Sequence, residues 1–214
     1  MKSIKKLKDW YKGTVIAFRN SRNKKRLTND KVSLICSNCT GGFIYHWLGM
    51  EFRSPFINLC MSNEDFLTAM ENLDEFLSTP IKADVESEKP YPVGIGYGKT
   101  KIHFMHYPDF ETANKKWEDR KKRIDRGNMA VMLCDICPDD DHKSQLRIIE
   151  RFDKLPFAHK IIFTDNPYPD YSSAIYLPLW TRDIEGIFQP VSRVSGKRPI
   201  DDFDFVGYIN SIKP

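Results

Sequence analysis

The chain predicts an α/β fold: a mainly parallel sheet with helices on both faces, a Rossmann-like three-layer arrangement with a short hairpin insertion in the middle. Three observations predict it. Short, continuously apolar segments, 32–36 (VSLIC), 129–134 (MAVMLC) and 160–164 (KIIFT), read as strands buried on both faces. Amphipathic segments of helical length alternate with them. A length of 214 residues suits one hydrophobic core, so 1–214 is expected to form a single domain, with residues 1–29 as a basic helical segment packed on it or extending from it.

The elements follow in order. After the strand at 32–36, residues 40–50 read as a helix despite two early glycines, and 56–60 (FINLC) as a second strand. Ser62-Asn63-Glu64-Asp65 resembles a capping box, and Phe66, Met70, Leu73 and Phe76 continue one helical face. Residues 81–85, 93–95 and 101–105 are short strands with Gly and Pro between them, which reads as a hairpin or meander. Residues 110–125 form a charged helix with Ala113, Trp117 and Ile124 along one stripe. After the strand at 129–134, a helix over 142–155 buries Leu146, Ile149 and Phe152. Residues 160–164 and 174–177 are strands, and 202–212 a last helix.

Charge is unevenly placed. Residues 1–26 hold Lys2, Lys5, Lys6, Lys8, Lys12, Arg19, Arg22, Lys24, Lys25 and Arg26 against Asp9 alone, while the remainder is mildly acidic. Such a segment attracts anions. Ile4, Leu7 and Tyr11 share a helical face among these lysines, a pattern that suits an anionic membrane surface; it equally fits a solvated helix resting on the body. No apolar run approaches the roughly 20 residues of a bilayer span, and no signal-peptide core follows the early lysines. The expected location is cytoplasmic, with the basic start able to lie on the inner membrane. Nucleic acid is not the expected partner; binding through residues 1–26 would show a steep salt dependence.

Five cysteines, among them the pairs Cys36/Cys39 and Cys134/Cys137, read as reduced intracellular thiols. Structural zinc sites place such pairs on Gly- and Pro-rich turns. Here Cys36 and Cys134 end apolar strands, so no metal is expected, although neighbouring strands would leave a four-thiol cluster open. Gly94-Ile95-Gly96-Tyr97-Gly98-Lys99-Thr100 mimics a phosphate loop but has three residues, not four, before Gly98-Lys99, and it leads into a strand; a hairpin turn is the better reading. Asp139-Asp140-Asp141 suits the start of the next helix.

The turn after the first strand is the strongest functional candidate. Ser37-Asn38-Cys39-Thr40-Gly41-Gly42 joins a buried strand to a helix start. Free N–H groups and the positive dipole end there would lower the pKa of Cys39, and the Gly41 and Gly42 backbone with Asn38 would form an oxyanion site. The glycines allow close approach of a ligand or a neighbouring strand. Ligands of parallel sheets bind outside the carboxyl ends of the strands, where Asp135 and Asp165 also fall. His103 and His106 point to opposite faces of their strand, so only one joins the site; His106, nearer the loop, is the candidate general base, with Asp135 to orient it. His46 lies two turns beyond Cys39, near enough to line the same pocket but not to touch the thiol.

Ser37 through Gly42 with Tyr45-His46 and Leu48-Gly49, Ser54 to Leu59, Tyr91-Pro92-Val93-Gly94, Ile102-His103-Phe104-Met105-His106-Tyr107, Arg120 to Ile124 and Arg151 to Pro156 together resemble a family of bacterial exopolysaccharide biosynthesis proteins defined by a domain of unknown function. The likeness covers most of residues 30–170. This chain departs from it at Thr40, where the family often carries an aromatic, and at Cys36. The resemblance implies an α/β fold and a role in making cell-surface polysaccharide. Capsule-associated proteins with an Asn-Cys turn after the first strand look like acyltransferases, an analogy of fold and turn. The leading expectation is an acyltransferase-type enzyme on a polysaccharide precursor, with coenzyme A or another acyl donor. Catalytic Cys39, His106 and Asp135 would act beside binding residues Asn38, Gly41, Gly42, His46, His103 and Asp165. The rival is a non-catalytic module that binds a sugar nucleotide or docks a glycosyltransferase.

Overall fold

The computed structural model describes residues 2–135, 141–178, 180, 187 and 196–213, with side chains from residue 10 onward. The long helix α1 (Lys2–Arg26) leads to β1 (Ser33–Cys36), α2 (Thr40–Leu48), α3 (Asn63–Glu71) and α4 (Leu73–Ser78). The short strands β2 (Lys82–Ala83), β3 (Val93–Ile95) and β4 (Lys101–His103) precede α5 (Phe110–Lys121). Then come β5 (Met129–Asp135), α6 (His142–Asp153), β6 (Lys160–Thr164), β7 (Ala174–Tyr176) and α7 (Phe205–Ser211).

β1, β5, β6 and β7 form one parallel sheet in that order, and β2, β3 and β4 form a separate antiparallel sheet. The expected α/β class, with its parallel sheet and central hairpin, is what the structure shows. Strand residues alternate between two cores. Ile35, Val131, Leu133 and Ile162 pack on α3, α4, α5 and α6, where Trp117 sits among Phe56, Phe76 and Phe104. Leu34, Cys36, Ala130, Met132, Ile161 and Phe163 face α2 and α7. Both faces are therefore apolar, which is why these strands read as unbroken hydrophobic runs.

β1 is an edge strand of its sheet, and its outer edge is closed by a side chain. The Tyr45 hydroxyl, from α2, accepts from Leu34 N at 2.8 Å and donates to Val32 O at 2.9 Å. α2 ends at Gly49, whose left-handed backbone (φ 69°) lets the terminal N–H groups return to His46 O and Tyr45 O. α1 docks beside α2 and α7. Arg198, fully buried, lies 3.6 Å over the Trp47 ring, pairs with Asp201, and donates to Asn20 of α1 at 3.2 Å.

Four expectations change. Residues 56–60 are a loop, not a strand: Ser54-Pro55 opens it with Ile57 N bonded to Pro55 O, Asn58 adopts φ 60°, and only Cys60 pairs, with His103. The helix from Asn63 breaks at Asn72 (φ −130°), giving α3 and α4. The helix after β1 stops at Leu48 instead of residue 50 because Gly49 turns left-handed. On α6 the buried stripe is Gln145, Ile148, Ile149 and Phe152, with Leu146 only partly covered. The Ser62 cap on Asp65 N is present, and residues 97–99 turn the hairpin as expected. Asp141 caps α6 through Ser144 N, whereas Cys137, Asp139 and Asp140 lie outside the described residues.

Candidate functional site

Parallel pairing brings the ends of β1, β5 and β6 to one edge of the sheet, so Asn38, Cys39, Asp135 and Asp165 emerge on the same side. Two groupings form there: a thiol cavity beside α2 and a carboxylate–amide cluster beside α6.

The cavity encloses about 340 Å³ and is lined by Cys39, Gly42, Phe43, His46, Phe52, Asn58 and His106. Cys39 and His106 reach it from different segments. The loop at Asn58 holds them in register: Tyr107 hydroxyl donates to Ile57 O at 3.2 Å, and Arg120 donates to that hydroxyl at 2.7 Å. His103 follows a different course. It pairs with Cys60 across the bridge, meets the Tyr91 ring edge-on, and keeps its Nδ1 buried without a hydrogen bond among the described residues. Burial and then Lys89 hold it below the ordinary histidine value.

The Cys39 thiol is not activated by the helix start. Burial first, and the neighbouring Cys60 second, push it up to about 11, opposite to the lowering expected from the helix dipole. Its Sγ lies 3.8 Å from Leu59 O, a weak hydrogen bond that does not stabilise the thiolate. Two of the expected oxyanion donors are committed elsewhere. The Asn38 side chain hydrogen-bonds Cys134 while its Oδ1 accepts from Thr40 N at 3.0 Å, closing a local turn, and the Gly41 N–H is directed at the Cys36 sulphur. Gly41 is needed for closeness of backbone to strand, since a Cβ there would stand 2.7 Å from Cys36 Sγ. Gly42 alone of the pair lines the cavity. Cys134, beside Thr40 Oγ1 at 3.5 Å, is raised by burial to about 12. Although β1 and β5 are neighbours, no group of three or more potential metal ligands gathers among the described residues.

The second grouping centres on Asp135, which is only 3% exposed. Its Oδ1 accepts from Asn63 Nδ2 at 2.5 Å, and its Oδ2 is buried with no hydrogen-bond partner among the described residues. Asp135 therefore does not orient His106. Burial raises its carboxyl to about 7, and the charge of Asp165 adds to that rise. Gln145 ties the two acids together: its Nε2 donates to Asp135 O at 3.1 Å and to Asp165 Oδ1 at 3.0 Å. Its Oε1 accepts from Tyr168 hydroxyl at 2.6 Å and Asn166 Nδ2 at 3.4 Å. A carboxyl near neutrality with one unshared oxygen can give or take a proton at physiological pH.

Asn63, Gln145, Asn166 and Tyr168 were missed from the sequence. Gln145 had a legible signal, because it occupies a core position of α6, one turn before Ile148 and Ile149 and two before Phe152. A polar residue there must be paired.

Fold and site define a three-layer α/β protein with a thiol- and imidazole-lined cavity and a buried carboxylate–amide cluster at the carboxyl edge of a parallel sheet. The chain belongs to the family defined by the domain of unknown function DUF1919, whose model matches residues 11–210. A Haemophilus influenzae protein described as uncharacterized is 39% identical over 195 residues, covering 90% of this chain and 91% of that relative. Among the described residues no helix is long and apolar enough to cross a membrane.

Proposed function

We propose that this protein acts in cell-surface polysaccharide biosynthesis, transferring an acyl group to a polysaccharide precursor in the strand-end crevice. The polysaccharide context rests on the motif resemblance. The chemistry rests on one observation: a thiol and an imidazole from separate segments, Cys39 and His106, line one cavity of about 340 Å³. A thiol near 11 is a neutral nucleophile and needs a base. His106 takes the Cys39 proton as Sγ bonds to the acyl carbon, and the donor's sulphur leaves as a thiol carrying that proton. A precursor hydroxyl then attacks the thioester, and its proton passes through the imidazole to the departing Sγ. Acetyl-coenzyme A is the donor to try first. Incubation with it, followed by peptide mass mapping, should place one acetyl group on Cys39, absent in Cys39→Ala and strongly reduced in His106→Asn. Transfer that survives in Cys39→Ala sinks this reading.

The amide-rich cluster favours a second reading, a module that binds a sugar nucleotide without chemistry. Asn63, Gln145, Asn166 and Tyr168 with two carboxyl groups suit recognition of sugar hydroxyls. Saturable calorimetric binding of nucleotide sugars, together with no acyl adduct, selects it over the first.

A further inference from the structure

α1 carries an aromatic ridge that the fold leaves uncovered. The helix is 25 residues long, about 37 Å at 1.5 Å per residue. It rests on the body through one side. Ile16 and Val15 lie against Gly196, Arg19 pairs with Asp201, and Asn20 receives Arg198. The opposite side is bare: Trp10 is 67% exposed, Tyr11 50% and Phe18 74%, with exposed Thr14 between them. Residues 10, 14 and 18 recur at helical spacing, so Trp10 and Phe18 stand on one face. Of the six large hydrophobic side chains exposed among the described residues, three are on this helix. The others, Val85, Met105 and Tyr176, are scattered over separate elements.

Around this ridge the charge is one-sided. Asp9 is the only acid in the helix, against ten lysines and arginines. Arg22, Lys24 and Lys25 are exposed beyond Phe18, and Lys2, Lys5, Lys6 and Lys8 precede Trp10 in the sequence. Arg19 and Arg26 are matched by Asp201 and Asp204 of the body, Arg22 lies close to Asp204, and Lys24 reaches toward Gly49, which together hold the docked side in place; Lys25, seven residues beyond Phe18, stays on the outer face.

We infer that α1 docks the protein on an anionic phospholipid bilayer, with Trp10 and Phe18 entering the headgroup–acyl boundary and the lysines facing the phosphates. Tryptophan prefers that boundary because its ring is apolar and its N–H polar. Basic side chains add attraction to anionic lipid. A second copy of the chain is a poor occupant, since pairing two such helices would set like charges together. Single-stranded nucleic acid is tracked by a groove with aromatic walls, and this ridge is convex. The inference stands apart from the proposed chemistry and does not require it.

The test uses the full chain with phosphatidylcholine vesicles and with vesicles containing phosphatidylglycerol. Cosedimentation should rise at least about tenfold with the anionic lipid and fall with salt. Trp47, Trp117 and Trp180 are buried, so a blue shift of tryptophan emission on binding reports Trp10. The Trp10→Ser/Phe18→Ser variant should melt like the parent, because both side chains are exposed, and should lose at least about tenfold in vesicle affinity. Equal binding to both vesicle types, no binding to anionic vesicles at low salt, or unchanged binding by the double variant overturns the inference. So does a chain that dimerises through α1 or prefers a single-stranded oligonucleotide to the anionic vesicle.

Discussion

A Cβ on Gly41 would stand 2.7 Å from the Sγ of Cys36, so this glycine is where α2 closes onto β1. The contact sets the position of Cys39, two residues earlier. Gly41→Ala should destabilise the protein by about 1–3 kcal/mol, through overpacking against a strand that cannot retreat. Cys36→Ala in the same chain removes the sulphur and should recover part of the loss, although the residue 36 Cβ remains at 3.2 Å. Urea denaturation of the two variants and the pair measures the coupling. An unperturbed Gly41→Ala midpoint would show that α2 can lift away without penalty.

Tyr45 offers a cleaner deletion. Its hydroxyl is the partner of both Leu34 N–H and Val32 C=O on the free edge of β1. Tyr45→Phe keeps the ring and strands those two buried groups, so a loss of about 1–3 kcal/mol is expected with no change in the denaturant slope. Thermal melting and urea titration should agree. A loss below a few tenths of a kcal/mol would mean that water reaches the edge.

Buried Arg198 couples α1 to the body. Burial works to raise Asp201, yet the Arg198 guanidinium outweighs it and holds that carboxyl below its ordinary value. Arg198→Met removes the cation over Trp47 and leaves Asp201 to Arg19 alone, with an expected loss of about 3–5 kcal/mol. Arg198→Lys should rescue little, because an ammonium cannot reproduce the planar, forked contact. Faster amide exchange across residues 12–26 would locate the damage in α1.

The parallel sheet was legible because its strands are buried on both faces and leave largely apolar runs at residues 32–36, 129–134 and 160–164. The loop at 56–60 was not, since FINLC has the composition of a strand. What overrides that composition is the turn that returns Ile57 N to Pro55 O together with Asn58 in the left-handed region, a conformation that asparagine tolerates but does not announce. Cys39 and His106 were readable as strand-end residues, yet the state of the thiol was not. The dipole of a helix start is visible in sequence, whereas the burial that outweighs it depends on how Cys60 and Leu59 fold back over the turn. The Asp135 cluster needed β5, β6, α3 and α6 together, four elements whose proximity no local spacing encodes.

Alkylation reads the Cys39 thiol directly. With a pKa of about 11, only about one thiol in ten thousand is ionised at pH 7. Iodoacetamide labelling of Cys39, followed by peptide mapping, should be slow at neutral pH and climb steadily up to about pH 11. A plateau reached below pH 8 would show a thiolate held by a neighbour, and would move the chemistry toward a preformed ion pair with a histidine.

Asp135 ties stability to pH in the sense opposite to an ordinary paired carboxylate. Its carboxyl is raised to about 7 in the folded protein, from 3.8 as the ordinary value. Between those values the unfolded chain has lost this proton and the folded chain keeps it. The folded state thus binds more protons, and stability falls as pH rises through that window. The contribution is fully present below pH 4 and is lost by about pH 7, an effect on the order of 4 kcal/mol. Asp135→Asn keeps an acceptor for Asn63 and removes the charge that burial opposes. It should therefore be more stable than the parent at pH 8, by up to that amount, and the two should converge toward pH 4. Urea midpoints of both proteins between pH 4 and pH 8 test this. Parallel pH profiles would mean that Asp135 titrates at its ordinary value and that its unshared oxygen reaches solvent. Acyl-transfer measurements on the same variant separate the two roles of the residue: a stabilised protein with a lost pH dependence of turnover identifies Asp135 as a proton carrier, and a stabilised protein with unchanged turnover confines it to the fold.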